Sequence, residues 1–140
     1  MRIVVDTDVF VSALLGGDAA NTVVAACLRG RFTPLMGPAL VAEYEAQLGR
    51  AGLFAASRLS ESERQELFDI FAATCRWTRV YYGWRPNLRD EGDNHVIELA
   101  VAGSAQAIVT RNTRDFTLAH ELRFPQLRIL TPARLLKGEP

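Results

Sequence analysis

The chain reads as an α/β protein built on a parallel β-sheet with helices on both faces. Three observations predict this. Ile3-Val4-Val5 is a continuous β-branched run that ends in a carboxylate, Asp6, as a parallel strand buried on both sides does. A second such run, Ala107-Ile108-Val109-Thr110, lies about a hundred residues later. Between and around these runs, stretches of helical periodicity alternate with short apolar segments, and that alternation points to crossover connections and a parallel sheet.

The elements follow in order. Helical spacing starts at Phe10 with Val11, Leu14 and Leu15, and Gly16-Gly17-Asp18 breaks it. It resumes from Asn21 through Val24 and Leu28 to a stop at Gly30. Phe32 to Met36 forms a second strand, and Gly37-Pro38 introduces a helix through Leu40, Val41, Tyr44 and Leu48. Its inward stripe includes or borders Glu43, whereas Glu45 points to solvent. Ser60 to about Val80 reads as one longer amphipathic helix. Ser60 and Glu63 form a capping box there, and Leu67, Ile70 and Phe71 supply the apolar face. Tyr81 to Asn87 is turn-like. A helix begins near Asp90 to Asp93 and carries Val96, Ile97, Leu99, Ala100 and Val101 to Gly103, ahead of the strand at Ala107. A last strand, Arg128 to Thr131, leads into a terminal helix with Pro132 in its first turn.

The 140 residues suit a single domain over 1–140. A content of 49% hydrophobic and 23% charged residues is that of an ordinary globular protein. No apolar run has the length of a membrane span. The first strand starts too early for a leader peptide, so the expected location is the cytoplasm. Cys27 and Cys75 sit in apolar helical surroundings without CxxC or histidine spacing. They read as buried free thiols rather than zinc ligands or a disulfide framework. The formal net charge is zero, which excludes strong long-range attraction to nucleic acid. Lys137 is the sole lysine, and every other basic side chain is arginine, whose planar fork suits phosphate or carboxylate. A genome rich in G and C would have the same effect.

Chemistry enters with the acids. Asp6 ends a buried strand, where an ionised carboxylate is costly unless paired or bound to a cation, and the carboxyl edge of an open parallel sheet is where ligands bind. Asp8, at a helix entrance, is expected to cap the following turn. Taken alone, Glu43 reads as a solvated glutamate. Asp90 and Asp93 both fall at a helix N-terminus, where one acid suffices for capping. Asp115 follows the strand expected beside Asp6, with Asn112 in the same loop, and is otherwise a turn residue. What unites these acids is a common position on one edge of the sheet. Crowded carboxylates call for a cation, and oxygen ligands select Mg²⁺ or Mn²⁺, ions that meet substrate phosphates.

Four segments carry a resemblance: Val4-Val5-Asp6-Thr7-Asp8-Val9-Phe10-Val11-Ser12-Ala13-Leu14, Glu43-Tyr44, Asp90-Glu91-Gly92-Asp93-Asn94, and Ile108-Val109-Thr110-Arg111-Asn112-Thr113-Arg114-Asp115-Phe116. In this order they resemble the PIN-domain nucleases, in particular the small single-domain toxins of VapC-type toxin-antitoxin pairs. The resemblance implies a PIN-like fold over nearly the whole chain and places that family's acidic quartet, catalytic and metal-binding, on Asp6, Glu43, Asp93 and Asp115. Asp90, Thr110 and Asn112 become supporting residues. The family commonly has Asn where this chain has Asp8, which adds a negative charge near the centre. Some relatives carry an acid at the position of Asn112.

The implied activity is Mg²⁺-dependent endoribonuclease cleavage of single-stranded or loop RNA, with Mn²⁺ as a second metal. A cognate antitoxin and a homodimer are the implied partners. Arg111 and Arg114 are candidate phosphate contacts, or simply solvated. Two other functions compete. Asp6-Thr7-Asp8-Val9-Phe10 also imitates the nucleophile motif of haloacid-dehalogenase-type phosphatases, in which Asp6 would be phosphorylated and Asp8 would be the acid/base. That chemistry recruits a lysine, and Lys137 lies almost at the chain end. The other is a PIN fold kept as a binding module without catalysis.

Overall fold

The computed structural model describes residues 1–80, 94–116 and 126–138. Five strands, β1 (Arg2–Val5), β2 (Thr33–Met36), β3 (Arg76–Trp77), β4 (Ala107–Val109) and β5 (Arg128–Leu130), form one sheet in the order β3-β2-β1-β4-β5. All pairs are parallel, as the β-branched runs predict. The first strand is central, and its buried residues Ile3, Val4 and Val5 are each at most 1% exposed. In register, Ile3 faces Ala107, Val4 faces Ile108 and Val5 faces Val109. This puts the next residue on each strand, Asp6 and Thr110, at neighbouring strand ends.

Helix α1 (Thr7–Leu14) begins directly after β1, three residues earlier than the apolar spacing indicates. Asp6 is its N-cap and accepts the Thr7 amide at 2.8 Å. Capping therefore falls to Asp6 and not, as expected, to Asp8. The turn to α2 (Asp18–Leu28) uses Gly16 at φ +93°, and a Cβ on Gly17 would collide with Ser12. Helix α3 (Pro38–Leu48) starts with Pro38 at its first turn, as predicted.

The long middle helix is shorter than the sequence suggests. Helix α4 spans Glu61–Thr74, with the Ser60/Glu63 capping box in place. Cys75 then turns extended, and Arg76–Trp77 pair with Leu35 and Met36 as the edge strand β3. Two exposed residues carry no period-2 signal, so the strand is invisible to pattern reading. The buried face of α4 is Phe68 and Phe71, while Ile70 is exposed. Helix α5 is described over Asn94–Ala102. A helical turn begins at Arg114, and a last helix, Pro132–Leu136, is capped by Thr131. The turn expected at Tyr81–Asn87 lies outside the described residues, as do Asp90 and Asp93. Among the described residues no single helix is long and apolar enough to cross a membrane.

An aromatic cluster joins the helices that carry the site. Phe10 of α1 lies 5.3 Å from Tyr44 of α3 and 5.1 Å from Phe71 of α4, and Tyr44 stacks on Phe68 at 5.3 Å. Contacts of this kind add to the area these rings bury. The Tyr44 hydroxyl donates to the Val5 carbonyl at 2.6 Å, fastening α3 to the last residue of β1. Cys27 and Cys75 are buried free thiols, as expected, and burial pushes both up to about 12.

Candidate functional site

The carboxyl edge of the sheet is built from strand ends and helix starts. Asp6 is only 5% exposed. One of its oxygens accepts the Thr7 amide, and the other accepts the hydroxyl of Thr110, a fully buried residue, at 2.9 Å. Charge-assisted bonds of this kind make a buried carboxylate tolerable. The Thr110 oxygen also accepts the Asn112 amide at 3.1 Å, which folds the loop after β4 back over the strand end.

Asp8 reaches across to that same loop. Its carboxylate accepts the Arg111 amide at 3.1 Å and the Asn112 side-chain amide at 3.2 Å. Burial pushes the Asp8 carboxyl up, and the Arg111 amide, the Thr110 hydroxyl and the Arg111 charge only partly offset this. The residue expected to be a helix cap thus ties α1 to the β4 loop. The Thr110 hydroxyl thus holds Asp6, and the Asn112 side-chain amide holds Asp8.

Glu43 stands one residue before Tyr44, so the tether from Tyr44 to Val5 also places Glu43 beside the end of β1. Its two oxygens are engaged separately: Oε1 accepts the Thr7 hydroxyl at 2.7 Å and Oε2 accepts His95 Nε2 at 2.7 Å. An ionised carboxylate can only accept, which assigns the proton to Nε2. The histidine bond holds the Glu43 carboxyl below its usual range. Burial opposes it and the Thr7 bond assists. Glu43 is therefore not the solvated glutamate that spacing alone allows. Sequence reading missed both Thr7 and His95 as parts of the site. A lone histidine near the start of α5 carries no pattern of its own, and its position two residues after Asp93 was the only available hint.

These groups meet around one cavity of about 340 Å³, lined by Asp6, Asp8, Glu43, Arg111, Asn112 and Asp115 among others. Three of the four acids singled out in the sequence are thus brought to one place. The fourth, Asp93, lies outside the described residues, as does Asp90. Asp115 is half-buried at the start of the turn after β4, and its amide bonds the Asn112 carbonyl. Arg111 brings a guanidinium to the rim, whereas Arg114, also exposed, is not among the lining residues. Among the described residues no three histidines, cysteines or acids are close enough together to hold a metal ion. The donor set itself is all oxygen and acidic, and it fits Mg²⁺ or Mn²⁺ and not a soft metal. Lys137 is exposed beyond the last helix and does not line this cavity, leaving Asp6 without the lysine a phosphorylated aspartate needs.

Similarity to known proteins agrees with this architecture. No curated protein matches the chain significantly. Among solved structures, the crystal structure of VapBC2 from Rickettsia felis bound to a DNA fragment from its promoter superposes with a TM-score of 0.59 at 18% identity. The match covers 94% of this chain and 98% of the other. At that identity it speaks for the fold. The family model for the PIN domain matches residues 2–114, from the first strand through the loop that holds Thr110 and Asn112. The chain belongs to the PIN domain family.

Proposed function

We propose that this protein is a divalent-metal-dependent endoribonuclease and the toxin of a toxin-antitoxin pair, with Asp6, Glu43, Asp93 and Asp115 as its catalytic and metal-binding acids. The observation that carries this reading is the convergence of Asp6, Glu43 and Asp115 on one cavity at the carboxyl edge of a parallel sheet. Membership of a family whose members are generally nucleases supports it. The likeness to a VapBC2 structure supports the pairing with an antitoxin. A homodimer belongs to the same proposal.

The residues divide the work. Asp6, fixed by the Thr7 amide and the Thr110 hydroxyl, and Glu43, fixed by Thr7 and His95, would hold Mg²⁺ or Mn²⁺ with Asp115 and Asp93. When bound, such an ion supplies charge stabilisation at the phosphoryl oxygens and acidifies water, which hydrolysis of a phosphodiester needs. Glu43, kept ionised by His95, accepts a proton more weakly than an unperturbed carboxylate, so its part is to hold charge and position. Among the described residues that line the cavity, Arg111 is the cation available to a substrate phosphate. Asp8 adds negative charge beside Asp6 and is occupied by the loop amides, which suits it to shaping the loop.

The test is cleavage of a pool of structured RNAs by purified protein with Mg²⁺, Mn²⁺ or EDTA, comparing wild type with Asp6→Asn and Asp93→Asn. Metal-dependent cutting that is lost in both folded variants supports the reading. Equal cutting by all three proteins, or none with any metal, sinks it in favour of a non-catalytic binding module.

A further inference from the structure

Trp77, the last residue of β3, is 57% exposed, although its ladder partner Met36 is wholly buried. A lone exposed apolar side chain is ordinary. This one differs in three ways. The indole is held in place, since its Nε1 donates to the Ala72 carbonyl of α4 at 3.2 Å. Exposed arginines flank it, Arg76 and Arg79, and among the described residues neither guanidinium is in an ion pair. Across positions 70–89 the sequence has four arginines and no acid, in a chain of zero net charge. The third difference is place. All strands of a parallel sheet end at one edge, so Trp77 stands at the edge that carries Asp6, two strands away, or about 10 Å at the usual strand spacing. The segment after β3 continues toward the acids: Val80 lines a cavity with His95, whose Nε2 bonds Glu43.

Resting on the ribonuclease reading above, we infer that Trp77 is a stacking platform for an unpaired base of the RNA, on the stretch of strand that flanks the cleaved phosphate. Single-stranded RNA is held by positive charge along its backbone together with aromatic rings on which the splayed bases stack. Both parts are present at the end of β3. Along the chain Arg79 lies between Trp77 and Val80, which suits it to a phosphate between the stacked base and the acids. The bond to Ala72 orders the indole in advance, so stacking has less conformational freedom to remove. The charge decides the occupant. Unpaired arginines around a ring complement a phosphate backbone, whereas an apolar partner surface would leave them desolvated. Every base has a π-face, so the platform prefers unpaired strand to duplex and not one base to another.

The experiment uses the full chain in EDTA, where nothing is cut, with a short oligouridine as the probe. Trp84→Phe leaves Trp77 as the sole tryptophan. Oligouridine should quench its fluorescence saturably, and the same strand annealed to oligoadenosine should not. Anisotropy of labelled oligouridine needs no tryptophan: Trp77→Ala should weaken binding about tenfold, and Trp77→Phe, which keeps a ring, should restore most of the loss. Arg79→Gln should flatten the fall of log affinity with log salt by about 0.7, as one lost phosphate contact to a single strand does. No binding by the wild type, unchanged affinity in Trp77→Ala, or quenching as strong with the duplex each overturns the inference. So does weaker self-association of Trp77→Ala in sedimentation with RNA affinity unchanged, which gives the face to a second copy. Cutting in Mg²⁺ separates this inference from the reading beneath it. Wild-type cutting and affinity in Trp77→Ala end the inference and leave the nuclease, whereas stacking on Trp77 without cutting in any metal ends the nuclease reading.

Discussion

Thr110→Val isolates the bond on which the position of Asp6 depends. Thr110 is fully buried, its hydroxyl donates to Asp6 Oδ2 at 2.9 Å, and its oxygen accepts the Asn112 amide at 3.1 Å. Valine has nearly the same shape and removes only the hydroxyl. A hydrogen bond to a charged group contributes about 1.5 to 3 kcal/mol. The exposed Asn112 can turn to water, and the hydroxyl's second contact, to Asp8 Oδ2, is long at 3.4 Å, so the loss falls mainly on Asp6. We expect a destabilisation of about 2 kcal/mol, or a fall in Tm of roughly 6 to 8 °C for a chain of this length. Thr110→Ser keeps the hydroxyl and loses a buried methyl, at a cost of about 1 kcal/mol. Urea unfolding in EDTA at pH 7 measures both, and the valine variant should be the less stable. In an Asp6→Asn background the acceptor is neutral, so the cost of Thr110→Val should shrink by about 1 kcal/mol in a double-mutant cycle. A cost below about 0.5 kcal/mol, serine worse than valine, or strict additivity with Asp6→Asn would each refute the claim that Thr110 holds a charged Asp6.

Other perturbations follow the same geometry. The Asp8 carboxyl is raised above its usual 3.8 by burial, so the folded state holds that proton more tightly than the unfolded chain. Stability is then lost as pH rises through the raised value. Asp8→Asn should raise the Tm at pH 7 in EDTA by an amount equivalent to about 0.5 kcal/mol, and the gain should vanish as pH falls below the usual aspartate value. Glu43 has the opposite sign: its carboxyl is lowered by His95, so its stabilisation is present above the usual glutamate range and lost as pH falls through the folded value. Glu43→Gln should flatten that acid limb in a pH series of urea midpoints. Tyr44→Phe removes a 2.6 Å buried bond to Val5 and should cost about 1 to 2 kcal/mol by denaturation. It should also reduce RNA cleavage, because Glu43 rides on the same turn. Mg²⁺ at a hundredfold over its Kd should stabilise the wild type by about 2.7 kcal/mol, and thermal scans of Asp6→Asn should show no such rise.

The sheet was legible wherever strands are buried on both faces. Ile3 to Val5 and Ala107 to Val109 are continuous apolar runs because α/β packing covers both sides of them, and no other arrangement suits such runs so well. The edge strand Arg76–Trp77 was not legible, since two exposed residues are held by their pairing with Leu35 and Met36 and not by any preference of their own. The same contrast governs the site. Asp6 announced itself by following a buried run. His95 did not, because its role exists only once α3 and α5 lie side by side. Asp8 misled for a related reason. An acid at a helix start has a local explanation in capping, and only the register of β4 against β1 brings the Arg111 and Asn112 amides to it instead.

That register is also what makes the site depend on the fold as a whole. Val5 and Val109 are paired, so the next residues, Asp6 and Thr110, meet directly, and the first three residues beyond β4 supply a hydroxyl and two amides to Asp6 and Asp8. A slip of one residue would turn Thr110 to the opposite face of the sheet and leave a buried carboxylate without its donor. On the other side of β1, the link is Tyr44, which measures α3 against the Val5 carbonyl and so fixes how far Glu43 stands from Asp6. Three pairs of adjacent residues, one for packing and one that is a site acid or holds one, repeat the same division: Val5 and Asp6, Val109 and Thr110, Tyr44 and Glu43. Each packing residue is at most 1% exposed, which leaves little freedom for its neighbour to drift. The geometry of the acids is therefore set by the core, and substitutions at Tyr44 or Val109 should reach the site without touching it.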